Sequence, residues 1–540
     1  MHAQPLAVVQ GPWKSDERRP WTLDTDVLIV GSGAAGAVVA AELASSGQRV
    51  LVIEEGPYLP ANALGQMRPS ESMRRGWREA GMTFAMNVGD SPLINVMMGR
   101  CVGGSSLMTG GVCFRTPDEV LHEWVHGHGL SDLSSERMRP YFEEVEQRIH
   151  VETVPEEMRS RSTVLFDQGA RRLGYQLVPN RRNTDGCCGC SRCNFGCPHG
   201  AKLSVDLTYL PRAIAAGARV LSDCRVDRIL FEGAQATGVA GQILEQHGAE
   251  GRARRPFVVR ARRVILAAGG VHSARLLLDS GLGDGLPALG RNLTLHPSVR
   301  VMARFDERVE GWRGALQSAH SEAFSRHRLT LMSVFVPPGV VAATLPGVGL
   351  DHARRADLAP YTAVFGGMVH DDAGGRVHPT LSLRGLLGRL VSREPVLSYE
   401  MSRRDRIALS QLLRVLGETF FAAGAREVFL PVLGGAQHFG ARVGPYGGVD
   451  ADALRQFNID RVPAHLIECT SQHPLGTCRM GTSPDHAVVN DRGQVFGLRE
   501  LYVVDSSALP TSLGVNPQVS VMAMATRLAW RMRDLRLPDR

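Results

Sequence analysis

The stretch from Asp26 to Glu54 constrains the fold more than any other part of the chain. Asp26-Val27-Leu28-Ile29-Val30 is a short, apolar, β-branched run, the pattern of a strand buried on both faces of a parallel sheet. Gly31-Ser32-Gly33-Ala34-Ala35-Gly36, a G-x-G-x-x-G, follows at once. Ala34 to Ser46 is then rich in Ala and broken only by Glu42, as a buried helix would be, and Gly47 stands where a helix stops. Val50 to Ile53 reads as a second strand and ends in Glu54. The first glycine permits the turn, the second lets backbone approach a pyrophosphate, and the third lets helix and strand pack closely. The helix N-terminus offers unpaired N–H groups to the phosphates. Glu54, eighteen residues past Gly36, is placed to accept hydrogen bonds from ribose hydroxyls. Strand, turn, helix, strand and acid in this order predict an α/β dinucleotide-binding unit. The motif does not choose between FAD and NAD.

Charge decides which other partners to expect. The net charge is +7 and Lys14 and Lys202 are the only lysines, so the basicity is almost all arginine. The arginines are scattered, and the densest run, Arg252 to Arg263, reads as a solvated turn between strands. Nucleic acid is therefore not an expected partner. The first 26 residues hold no apolar stretch of secretory length, and no run of 18 apolar residues occurs. The expectation is a cytoplasmic protein without a transmembrane segment. At 540 residues, 44% of them hydrophobic, the chain has room for more than one domain.

Four further segments resemble the glucose-methanol-choline (GMC) oxidoreductases, a family of FAD enzymes, over nearly the full length. Gly99-Arg100-Cys101-Val102-Gly103-Gly104-Ser105-Ser106 is similar to the first family signature. Ala268-Gly269-Gly270-Val271-His272-Ser273, continuing to Gly283, is similar to the second. Ser471-Gln472-His473-Pro474-Leu475-Gly476-Thr477-Cys478-Arg479-Met480-Gly481 resembles the segment of the active-site histidine. Tyr502-Val503-Val504-Asp505 through Asn516-Pro517-Gln518 resembles the last flavin-binding turn. Thr109, Ala268 and His272 depart from the usual signature residues. Gly290 to Pro297 and a cysteine-rich segment look more like the long-chain alcohol oxidase branch. A fainter similarity points to bacterial oxidases acting on sugar-type alcohols in antibiotic biosynthesis.

The resemblance implies FAD, held by Gly31, Gly33, Gly36 and Glu54 together with Gly103, Gly104, Ser105, Ser106, Asp505, Asn516 and Pro517. It implies a Rossmann-like FAD-binding domain assembled from discontinuous pieces, 24–130, 205–298 and 465–540. A lid and cysteine-rich segment would span 131–204, and a substrate domain on a mostly antiparallel sheet 299–464. It also implies the oxidation of an alcohol, with hydride passing to the flavin N5. His473 would be the base, since imidazole titrates near working pH. Asn516 would donate to the substrate oxygen and cannot itself be a base.

Cys187, Cys188, Cys190, Cys193 and Cys197 crowd into eleven residues. Cys187, Cys190, Cys193 and Cys197 with Pro198 make C-x2-C-x2-C-x3-C-P, the spacing of a bacterial ferredoxin loop. By resemblance, Cys187, Cys188, Cys193 and Cys197 match the iron–sulfur ligands of some FAD-dependent sugar dehydrogenases. Zinc, a reduced structural loop and one disulfide stay open beside the cluster. A cluster would carry electrons onward from the flavin and make a dehydrogenase; without one, O2 is the expected acceptor. His199 and His296, each beside a proline, carry no assigned role. Asp371-Asp372 reads as a solvated acidic pair. The expected substrate is a small-molecule primary alcohol, a polyol or amino sugar before a long-chain or sterol-like one. A flavin-retaining lyase and an electron-transfer subunit are the alternatives.

Overall fold

The computed structural model describes residues 6–10, 19–247, 250–335, 337–379, 394–535 and 537–538; Lys14 lies outside them. The strand Trp21–Val30 lies at the centre of an eight-stranded sheet. It pairs parallel with Val50–Ile53 on one side and with Glu250–Leu266 on the other. Arg219–Ser222 and Val8–Gln10 extend the parallel part beyond Val50–Ile53. Leu501–Val503 joins it on the far side of Glu250–Leu266, and an antiparallel meander of Cys224–Glu232 and Gln235–His247 completes the sheet. Val27, Leu28 and Ile29 are fully buried, as strands covered on both faces must be.

The helix Ala34–Ser45 packs on this sheet and under the C-terminal helix Gln518–Arg533. Its one charged side chain, Glu42, is buried but paired, with the Arg212 guanidinium at 2.7 Å and the Trp530 indole N–H at 2.8 Å. A buried charge survives only with such partners. The basic run is not the solvated turn expected for Arg252 to Arg263. It belongs to the 17-residue strand Glu250–Leu266. There the fully buried Arg263 donates to Glu500 at 2.8 Å.

The second sheet has eleven strands and is mostly antiparallel. Its centre is Ser298–Arg304 and Thr362–Val369. Val299, Val301 and Ala303 turn into a second core with the helices Arg161–Arg172 and Arg403–Ala422, where Phe166 stacks on Phe365 with ring centroids 3.7 Å apart. The opposite face meets the 512–514 turn, Thr330 donating to the Gly514 carbonyl at 2.8 Å.

Membership of this sheet corrects the expected domain limits. Phe84–Val88 and Ile94–Val96, inside 24–130, pair here and not in the first sheet. So does Val178–Pro179 from 131–204. Cys469–Ser471, inside 465–540, lies parallel to Ile94–Val96 and touches Ser298–Arg304 through Ser298 and Thr470. The physical reason is strand pairing between segments far apart in sequence, which no local pattern announces. The consequence is that His473 leaves a strand of the second sheet within two residues and emerges at the seam between the two sheets. Among the described residues no helix is long and apolar enough to cross a membrane.

Candidate active site

A cavity of about 1470 Å3, counted to its open mouth, runs along that seam. One end is built by the glycine turn. Gly31 has φ +103°, and a Cβ there would stand 2.3 Å from the Ala267 carbonyl oxygen. A Cβ on Gly36 would stand 2.0 Å from the Gly31 carbonyl oxygen, so these two glycines are required by close packing. Gly33 differs: its nearest neighbour would be the Gly104 Cα at 3.9 Å, and it faces the cavity. It precedes the helix Ala34–Ser45 without giving a side-chain cap. The first-turn N–H groups are thus left for an anionic ligand. An open cradle at Gly33, with unpaired donors behind it, fits the pyrophosphate of FAD.

Gly31, Gly33, Glu54, Gly104, Ser105, Ser106, His473, Asp505, Asn516 and Pro517 all line this one cavity. Gly36 and Gly103 stand just behind its wall; Gly103 donates its N–H to the Ser32 hydroxyl at 3.2 Å and so joins the two glycine loops. Glu54 is buried. One oxygen accepts from the Ser32 N–H at 3.0 Å and hydroxyl at 2.7 Å, the other from the Gly56 N–H at 2.9 Å. Burial raises its pKa, and the lone pairs left over are what a ribose hydroxyl would meet. Asp505 is also buried. It accepts from the Gly269 N–H at 2.8 Å and the Ser507 N–H at 2.9 Å, fixing the turn that carries the second signature. Thr109, Ala268 and His272, the departures from the family pattern, line the same wall.

At the other end stand His473 and Asn516. Asn516 Nδ2 lies 3.3 Å from His473 Nε2, and its Oδ1 is buried without a protein partner. Whichever way round the carboxamide is placed, one polar end remains for a ligand. Burial lowers the His473 pKa to about 4, so the imidazole is neutral at neutral pH. Its Nδ1 lies 3.2 Å from Nδ1 of His296. His296 Nε2 accepts the backbone N–H groups of Leu513 at 3.0 Å and Gly514 at 3.1 Å. Two donors on Nε2 leave the ring proton of a neutral His296 on Nδ1, aimed at His473.

His296 was given no role by sequence reasoning, although it sits in the Gly290 to Pro297 segment that carries a branch resemblance. Asp371 was misread. It is buried, and its oxygens accept from the Leu295 N–H at 2.9 Å, the His296 N–H at 3.0 Å, the Tyr399 hydroxyl at 2.8 Å and the Ser512 hydroxyl at 3.0 Å. Burial lifts its pKa to about 6. Asp372 does remain partly exposed and pairs with Arg328 at 2.9 Å. Asp371 thus ties together the turns that bear His296 and precede Asn516. The sequence also missed Arg78, which bridges Glu55 at 2.6 Å and Glu394 at 2.9 Å beside the cavity, with His272 on the far side of Glu394 at 2.9 Å. The cysteine loop lies outside this cavity, and all ten cysteines are free thiols.

Comparison with known proteins agrees with the geometry. Family models of GMC oxidoreductases match residues 25–298 and 386–525. An uncharacterized GMC-type oxidoreductase of Mycobacterium tuberculosis is 36% identical over 517 residues, covering 94% of this chain and 76% of that protein. A long-chain-alcohol oxidase of Arabidopsis thaliana is 28% identical over 556 residues, covering 96% of this chain and 68% of the plant protein. The crystal structure of pyridoxine 4-oxidase from Mesorbium loti superposes with a TM-score of 0.69 at 19% identity, covering 95% of this chain and all of that one.

Proposed function

The chain belongs to the GMC oxidoreductase family of FAD-dependent enzymes, and on that premise we propose that it oxidises a primary alcohol to an aldehyde between His473 and Asn516. The observation that carries this reading is their juxtaposition, a neutral imidazole and a carboxamide with one free polar end, on the wall of the cavity that begins at the glycine cradle. FAD, when bound, supplies the hydride acceptor.

The protein's part is to hold the alcohol oxygen and take its proton. The free end of Asn516 faces the substrate oxygen and steadies the charge that develops there. His473 takes the hydroxyl proton at Nε2. That role needs the proton between the two Nδ1 atoms to sit on His473; with it on His296, His473 is an Nε2–H donor instead. The backbone N–H pair on His296 favours the donor form, so His296 sets the cost of reaching the base form. It is a positioning residue for the reaction.

An apolar alcohol suits the surroundings better than the polyol or amino sugar first expected. Val112 lines the cavity and packs with Met332 and Met368. Of the carboxylates on the wall, Glu55 is paired with Arg78, and Glu54 and Asp505 belong to the turns that would hold the cofactor, so none is set aside for an amine. The plant relatives are named for long-chain alcohols, which supports the same order. O2 is the proposed acceptor.

An anaerobic absorption titration with straight-chain alcohols, polyols and amino sugars tests the reading. The expected result is bleaching of the ~450 nm flavin band by the straight-chain alcohols, with H2O2 formed when air is admitted. His473→Ala should keep its flavin and lose ~10²–10⁴ in turnover. Bleaching by amino sugars alone would overturn the substrate class. A flavin that no alcohol reduces would overturn the oxidation itself in favour of a lyase.

A further inference from the structure

A second crevice, of about 320 Å3, lies away from the cofactor cavity. Cys187, Cys188, Cys190, Cys193, Cys197 and His199 all border it. Three of them converge: the sulfurs of Cys188 and Cys190 and a ring nitrogen of His199 lie within 4.8 Å of one another. Around tetrahedral zinc, with Zn–S about 2.3 Å and Zn–N about 2.0 Å, ligand atoms stand about 3.5 Å apart. Closing the set on an ion therefore asks for a shift of about an ångström in a loop whose outer residues are exposed.

Charge supplies an independent observation. Arg182 and Lys202 border the same crevice and each is only 1% exposed. The Arg182 guanidinium donates to the Gly110 carbonyl at 2.7 Å and to the Cys193 sulfur at 3.1 Å. Lys202 Nζ donates to the carbonyls of Leu107 at 2.6 Å and Thr109 at 2.5 Å. Among the described residues neither cation forms an ion pair with a carboxylate. Two buried cations need negative charge near them; the Asp206 carboxylate acts on Lys202 from outside the crevice, and the crevice lining itself can add negative charge only as thiolate. A soft divalent cation that displaces three thiol protons leaves the site with one net negative charge beside these two side chains.

We propose that Cys188, Cys190 and His199 bind one soft divalent cation of the zinc class, with Cys187, Cys193 or Cys197 as fourth ligand. Binding releases the thiol protons to solvent and changes no oxidation state. The set is not the Cys187, Cys188, Cys193, Cys197 quartet that the cluster resemblance selects, because it recruits His199. Its role is structural. With three thiolates the site carries one net negative charge beside Arg182 and Lys202, and these two side chains hold the carbonyls of Thr109 and Gly110, residues of the cofactor-cavity wall.

Metal analysis of the flavin-loaded full chain, purified without chelator, tests this. About one equivalent of zinc per chain is expected, and Co²⁺ exchanged into the site should give the intense absorption of thiolate–cobalt bonds. His199→Asn and Cys190→Ser should each lower the zinc content at least tenfold while the flavin spectrum shows a folded holoenzyme. Should either variant fail to fold, chelation of the parent protein is the second measurement, and loss of zinc with a lowered melting temperature, restored by Zn²⁺, is expected. Full zinc retention by His199→Asn would overturn the ligand set. Iron with acid-labile sulfide in place of zinc, or a chain that neither carries nor takes up Zn²⁺ or Co²⁺, would overturn the proposal.

Discussion

At the scale of single residues, the proposed base, His473, sets the expected pH behaviour. A base must be deprotonated to work, and burial holds this imidazole's pKa near 4 instead of 6.5. Activity should therefore be flat through neutral pH and fall only as the pH drops through about 4. The pH profile of kcat/KM checks this; an inflexion near 6.5 would mean that another group governs the proton. Stability moves in the same direction. The unfolded imidazole takes up a proton below about 6.5 and the folded one only near 4, so folding weakens as the pH falls across that window. The place of His473 on the cavity wall was legible in the sequence through its flanking residues. Asp371 was not, because what makes it a buried anchor comes from Leu295, Tyr399 and Ser512, at 76, 28 and 141 residues' distance. A carboxylate beside another in sequence looks solvated until such partners close on it.

At the scale of elements, the glycine turn yields a paired prediction. Gly36→Ala places a Cβ 2.0 Å from a backbone oxygen. No flexible side chain can yield there, so the helix Ala34–Ser45 must move off the sheet. The expected cost is about 1–3 kcal/mol or more of stability, with flavin lost as well. Gly33→Ala meets nothing nearer than 3.9 Å. It should fold as the parent does and still bind FAD poorly, because its Cβ fills the cradle. Melting curves of both apoproteins beside their flavin content separate the two cases. Equal destabilisation by both would refute the different roles. This element was readable because strand, turn and helix lie in one continuous segment with their own signals. Glu250–Leu266 was not, since its arginines mask the strand period and the partners that bury Arg263 come from the C-terminal segment. Phe84–Val88 was missed for a related reason: its partner is Leu397–Glu400, and nothing local in either run names the other.

At the scale of the whole molecule, the two sheets are joined at the rim of the cavity by charge as well as by packing. Glu55 follows a strand of the first sheet, Glu394 precedes a strand of the second, and Arg78 is held between them with 8% of its side chain exposed. Opposite charge draws both carboxylates down against the effect of burial, Glu55 to about 2 and Glu394 well below its ordinary value. Folded carboxylates with lowered pKa add stability that is present above about 4.5 and lost as the pH falls below it. Arg78→Ala removes the cation the two carboxylates share, leaving Glu55 with Arg100 at 4.0 Å and Glu394 with His272 at 2.9 Å while the two face each other across a buried gap. The expected cost at neutral pH is about 3–5 kcal/mol, read as a lower melting temperature and faster flavin release, since the gap opens beside the cofactor cavity. The difference from the parent should shrink as the pH falls below about 4.5, because protonation relieves the repulsion in the variant while it removes the pairing in the parent. If Arg78→Ala melts with the parent at neutral pH, the two sheets are held by their apolar contacts and by the Asp371 turns alone, and the ion pair only shapes the rim.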